Sequence, residues 1–235
     1  MSKLVWDQVG KRYFEGGVDH AVLYPFKSGQ YQDGVAWNGI TAVNETTDGG
    51  DENELYADNI KYAGIRGVEK FKPTIEAYTY PDEFAECDGS AKPVAGVYLG
   101  QQKRIPFGLS YRSQIGNDED GFDKGYKIHL VYFGTASPSD RNRETINDSP
   151  DAMTFSWEVS TTPEAVPGYK PTAHIEIDSR TVDAAKLEAF ENFIYGTDAT
   201  TDPVAAATPP QMPTAASVVA FFKSQGDLEH ATASA

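Results

Sequence analysis

Strict two-residue alternation most constrains this chain. In residues 153–160, Met153, Phe155, Trp157 and Val159 alternate with Thr154, Ser156, Glu158 and Ser160. That period places every apolar side chain on one face of an extended strand. A second run sets Ala173, Ile175 and Ile177 against His174, Glu176 and Asp178. The connection between them, residues 162–171, holds Pro163, Pro167, Gly168 and Pro171, which reads as a rigid loop and not a tight hairpin turn. Weaker alternation runs through residues 35–43, 71–77, 105–111 and 126–133. Pro73 and Pro106 cannot donate to a ladder and are expected at edges or bulges. The expectation is a mainly β protein of the α+β class.

One helix is expected at about 181–195, with Val182, Leu187, Phe190, Phe193 and Ile194 on a broad apolar face and Glu188, Glu191 and Asn192 opposite. Thr181 is its expected N-cap and Gly196 its left-handed stop. Leu187, Phe190, Phe193 and Ile194 should pack it on a sheet. A shorter helix near 82–87 follows Pro81. Beyond residue 198 the composition shifts to Ala, Thr, Pro and Asp, with Pro203, Pro209, Pro210 and Pro213. The expected organisation is therefore a core domain at 1–198 that includes an N-terminal arm, then a Pro/Ala-rich arm at 199–235. A short helix at 217–225 would carry Phe221 and Phe222 against the core or a neighbour.

Thirty-five acidic residues against 20 Lys and Arg give a formal charge of −15. Phosphate neutralisation needs clustered cations, so specific nucleic-acid binding is not expected. Cys87 is the one cysteine, which excludes an intramolecular disulfide and a cysteine-held metal. No run reaches the roughly 18 apolar residues of a membrane helix, and the N-terminal stretch lacks the apolar core of a signal peptide. The expectation is a soluble protein made in a cytoplasm.

Enzyme chemistry is not announced. The histidines, at 20, 129, 174 and 230, are scattered. There is no H-E-x-x-H, no G-x-S-x-G and no phosphate-cradling loop. His129 and His174 fall on the polar faces of their strands, where polar contacts are expected and metal ligation is not. No catalytic residue, metal or cofactor is expected. Two acidic loops, residues 48–54 and 117–123, are rich in oxygen ligands but depart from the EF-hand order, so solvated loops are the reading. Aromatics make up 12% of the chain, which keeps an adhesive or carbohydrate-binding β-sandwich module open as the alternative class. Phe155 and Trp157 belong to an apolar strand face and are expected in the core.

The stretch from Val9 through Gly10, Lys11, Arg12, Tyr13, Phe14, Glu15, Gly16, Gly17 and Val18 to Tyr24 resembles the beginning of siphophage major tail proteins of the Gram-positive phage type. The block Pro167, Gly168, Tyr169, Lys170, Pro171 to Ser179, the helix, and then Tyr195, Gly196, Thr197 and Asp198 resembles the end of that family's core. With Phe155, Ser156, Trp157 and Glu158, the resemblance spans residues 9–198. It implies a tail-tube fold of two packed β-sheets flanked by one main helix. Subunits would close into hexameric rings that stack into the virion's tail tube, assembled in the host cytoplasm. DNA would pass through without specific binding, past an acidic lumen that disfavours sticking. Tape measure, tail terminator and baseplate proteins would be the partners. Asp48, Gly49, Gly50, Asp51, Glu52, Asn53 and Glu54 become the candidate inter-ring loop, with 59–67 beside it. Trp6, Tyr13, Phe14, Phe221 and Phe222 become candidate arm contacts.

Overall fold

The computed structural model describes residues 3–143, 145–146, 152–201, 204–223 and 228. In chain order its strands are β1 (Phe14–Lys27), β2 (Gln30–Tyr31), β3 (Val35–Ala36), β4 (Ile40–Asn44), β5 (Thr47–Gly49), β6 (Glu52–Ala57), β7 (Ile60–Arg66), β8 (Glu69–Phe71) and β9 (Thr74–Ala77). A short helix α1 (Phe84–Cys87) precedes β10 (Ala91–Val94), β11 (Val97–Leu99), β12 (Phe107–Asn117), β13 (Gly121–Ala136), β14 (Phe155–Ser160) and β15 (His174–Asp178). Helix α2 (Ala184–Tyr195), β16 (Thr200–Thr201), β17 (Val204–Ala205) and α3 (Ala215–Phe222) follow.

The protein is mainly β, built on a large antiparallel sheet. The sheet runs β2-β1-β12-β13-β14-β9-β4, with β15 also paired to β13 and β3 to β1. Its long central strands bury both faces, and the alternation sorts their side chains into two clusters. Val22 and Tyr24 of β1 join Ile128, Leu130 and Tyr132 of β13 beneath Leu187, Phe190 and Ile194 of α2. The intervening Ala21, Leu23 and Val131, with Leu109 and Tyr111 of β12, face Ile75, Ala77, Trp157 and Val159. On the helix-facing side β12 offers Gly108 and Ser110. A Cβ on Gly108 would lie 2.9 Å from the Tyr31 ring and 3.3 Å from Met212 Sδ, so glycine there lets two large side chains close over the strand.

The second cluster is strongly aromatic. Trp157 lies 5.7 Å from Trp37, 5.6 Å from Tyr80 and 5.0 Å from Phe84, all edge-on. Its indole N–H donates to Asp88 Oδ1 at 3.1 Å. Arg141 completes the ion pair on the other carboxylate oxygen. Phe84, Ala85 and Cys87 of α1 are all buried here, which shows how a one-turn helix is held by packing and not by propensity.

Helix α2 begins two residues later than the sequence suggests. Asp183, not Thr181, is the N-cap, and its side chain accepts from the Lys186 amide. Leu187, Phe190 and Ile194 are buried and Phe193 is partly buried, as the apolar stripe requires. Gly196 sits at φ 77°, and a Cβ there would lie 2.6 Å from the Thr208 carbonyl oxygen. Asp183→Ala is expected to cost about 1 kcal/mol in chemical denaturation. An unchanged midpoint would contradict the capping role.

The chain after residue 198 differs from the expected arm. Met212 and Ala215 are fully buried, and Val218 is nearly so, in the helix-facing cluster. Extended backbone reaches this position because prolines suit it: Gly34 N–H donates to Pro210 O at 2.8 Å, and Gln211 N–H to Phe193 O at 2.9 Å. The expected helix is α3, capped by Thr214, and it ends at Phe222. The described part of this segment thus belongs to the core. No helix among the described residues is long and apolar enough to cross a membrane.

A bidentate pair ties β1 to β12. Arg112 Nε donates to Asp19 Oδ1 at 2.7 Å and its NH2 to Oδ2 at 3.0 Å, with Gln114 adding a third bond at 2.9 Å. Partial burial pulls the Asp19 pKa up, but Arg112, Gln114 and His20 outweigh it and hold the carboxyl at about 2. A depressed folded pKa stabilises at neutral pH, and that contribution is lost as pH falls from the unfolded value of about 4 through about 2. Asp19→Asn should therefore lower the melting temperature at pH 7, with the gap to the native chain closing toward pH 2. A gap independent of pH would contradict this.

Candidate functional site

Residues 47–71 build the most prominent surface feature. The acidic segment 48–54, expected as a solvated loop, is instead strand on either side of a joint at 50–51. β5 pairs with β8, and β6 pairs with β7, in two successive antiparallel ladders of one projecting hairpin. Gly49 and Gly50, at φ 83° and 80°, make the joint between them. A Cβ on Gly49 would lie 2.6 Å from the Val68 carbonyl oxygen. At the tip Asp58 and Asn59 both take positive φ, 50° and 62°, the geometry of a two-residue hairpin turn whose twist matches that of the strands.

Three acids of this segment are paired with lysines. Lys61 Nζ lies 2.8 Å from both Glu52 and Glu54. Lys72 Nζ lies 2.6 Å from Asp48. Large apolar side chains stand open beside them. Tyr56 is 66% exposed, Tyr62 74%, Ile65 57% and Val68 79%. Every residue of β6 is exposed, so among the described residues nothing covers this strand.

The N-terminal segment lies against the other acidic loop. Gly10 N–H donates to Asp118 Oδ1 at 3.0 Å, and Asn117 Nδ2 donates to Gly10 O at 3.0 Å. Asn117 Oδ1 accepts from the amides of Glu119 and Asp120. Residues 117–123 thus form a capped turn that holds the arm. Phe14 packs edge-on against Phe122 at 5.1 Å, and the Arg180 guanidinium sits 4.9 Å from the Tyr13 ring. Trp6 is 73% exposed and remains available for a contact. Phe221 and Phe222, candidate arm contacts expected against the core or a neighbour, pack on their own core. Phe222 lies 5.5 Å from Phe190, and Lys186 Nζ donates to the Phe221 carbonyl at 2.9 Å. The apolar face of α3 leaves them no other place once Ala215 and Val218 are buried.

The structure also assembles a cluster that sequence reasoning did not bring together. Glu45, His129 and His174 each point one ligand-competent atom at the others, all within 4.8 Å. His129 Nδ1 is 3.3 Å from Glu45 Oε1 and 3.2 Å from His174 Nε2. On its far side His129 Nε2 lies 2.9 Å from Ser113 Oγ, which donates to Glu15 at 2.5 Å. Tyr111 donates to Glu45 at 2.5 Å. Burial pushes the pKa of both imidazoles down, against the opposing pull of Glu45 and Glu176 on both rings and of Glu15 on His129. The β13–β15 register sets His174 opposite Val131, two positions along from His129, so both rings share a face. Glu15, Thr41, Val43, Glu45, Tyr111 and His129 line a cleft of about 300 Å³ beside them.

No protein-family model matches the chain, and no curated protein is significantly similar to it.

Proposed function

We propose that this chain is a structural virion subunit that polymerises through stacked rings into a phage tail tube, and that its exposed hairpin is the contact between rings. The observation that carries the reading is the set of exposed apolar side chains on β6, on β7 and at Val68 just beyond them. Tyr56, Tyr62, Ile65 and Val68 stand in solvent on a strand pair with no core of its own. A two-stranded ribbon is marginal in water, and large apolar side chains exposed on one suit a surface that another protein covers. A second copy of the same chain is the simplest occupant, because stacking identical rings offers one to every subunit.

Three further features support it. The main sheet carries α2 and α3 on one face and the β14-β9-β4 extension with α1 on the other, as a two-sheet tail-tube domain with a flanking main helix would. Among the described residues β4, β15 and β3 pair on one side only, and ring closure gives such edges partners. The charge of −15 suits a conduit that DNA passes without sticking.

Sedimentation of the purified chain across concentration tests the proposal. Mass growing in six-subunit steps is expected. A monomer at every concentration, with binding to immobilised glycans, would instead favour the adhesive module that its exposed Trp6 and tyrosines would also serve.

A further inference from the structure

We infer that Glu45, His129 and His174 form a binding site for a divalent transition-metal ion of the zinc class, placed to clamp the root of the projecting hairpin to the main sheet.

The donor set is the first support. Two imidazole nitrogens and one carboxylate oxygen are the ligands zinc takes when it keeps a fourth position for water. Bonds of about 2.0–2.1 Å at tetrahedral angles place neighbouring donors about 3.3–3.4 Å apart. Two edges of this triad, 3.3 Å and 3.2 Å, are already at that spacing. The third edge, between Glu45 and His174, is no longer than 4.8 Å, and an ion would draw it in.

The second support is the proton arrangement behind His129. Ser113 has one hydroxyl proton and gives it to Glu15, so the same oxygen must accept from His129 Nε2. That fixes the tautomer with the proton on Nε2 and makes Nδ1, the nitrogen that faces Glu45 and His174, the acceptor of the His174 Nε2 proton, which an ion would displace. Metal-bound histidines are held by such an outer hydrogen bond to a carboxylate or its relay. The rings are also held in plane: Tyr111, His129, His174 and Phe71 lie parallel to their neighbours within 6°. Glu15, Glu45 and Glu176 surround the rings with negative charge, and the cleft gives an ion a path to Glu45 and His129.

The location suggests the purpose. Glu45 lies two residues before β5, where the chain leaves for the hairpin. Phe71, the last residue of β8, stacks on His174 at 4.5 Å where the chain returns. An ion bonded to Glu45 on one side and to β13 and β15 on the other would fix the angle at which the hairpin projects. The site stands without reference to assembly and can fail or succeed separately from it.

The test is isothermal titration of ZnCl2 into tag-free, chelator-treated full-length protein, repeated with Co2+ to read the visible bands of a four-coordinate site. One ion per chain is expected, with a zinc-dependent rise in melting temperature. Glu45→Gln, a change at an exposed position, and His174→Gln should each remove the stoichiometric binding and the cobalt bands. Ser113→Ala should weaken binding about 10–100-fold. His20→Ala, remote from the triad, should bind as the native chain does. Circular dichroism of each variant separates lost ligation from lost fold. Absence of stoichiometric binding by the folded native chain would overturn the inference, as would binding that survives in folded Glu45→Gln and His174→Gln.

Discussion

A chain with Tyr56, Tyr62, Ile65 and Val68 all changed to serine is expected to fold like the native protein and to lose assembly. The four side chains are 57–79% exposed, and exposed substitutions change stability by no more than about 0.5 kcal/mol each. Melting temperature should therefore hardly move. In a contact between rings the same side chains would each contribute about 1.5–3 kcal/mol of burial. Their loss weakens association by on the order of 6 kcal/mol, about 10⁴-fold per contact. Sedimentation of the variant beside the native chain measures this. A variant that assembles at the native concentration would remove the hairpin from the interface.

Trp157→Ala is expected to destabilise the fold by about 3–5 kcal/mol, read from guanidinium denaturation. Trp157 is fully buried among Trp37, Tyr80, Phe84 and Phe155. Its removal opens a cavity and also takes a donor from Asp88, which is 8% exposed and would be left with Arg141. A domain's whole stability is about 5–15 kcal/mol, so the variant approaches the limit of folding. Trp157→Phe keeps most of the packing and loses the N–H, for which about 1–3 kcal/mol is expected. A cost below about 1 kcal/mol for the alanine variant would mean that the aromatic cluster is not a structural centre.

What was legible in the sequence follows from where a pattern meets a core. The alternation at Phe155, Trp157 and Val159 marks β14 because one face is buried and the other is not. The stripe through Leu187, Phe190 and Ile194 marks α2 for the same reason. The hairpin escaped as strand because burial does not select its residues. Leu55, Tyr56, Ile60 and Tyr62 stand among Glu, Lys and Gly with no buried face to impose a period. Its one local signal was Asp58-Asn59, residue types that tolerate positive φ. The C-terminal segment reads as an extended arm because of its prolines, and extended backbone can equally lie across a core and deliver Met212 to it.

The Glu45, His129 and His174 cluster was half legible. Period two placed both histidines on polar strand faces, and the β13–β15 register brings them side by side. Nothing local indicates that the end of β4 crosses above them and carries Glu45 into the same space. The polar face is thus an interior one, and His129, 3% exposed, is the residue where surface expectation and structure part most.

Electron microscopy of the purified native chain across concentration tests the central claim most directly. Six-fold rings or tubes with an open axial channel are expected, with the hairpin of one ring seated on the next. Uniform, unassembled particles at every concentration, including in the presence of the partner proteins that start a tail, would contradict a tube-forming subunit.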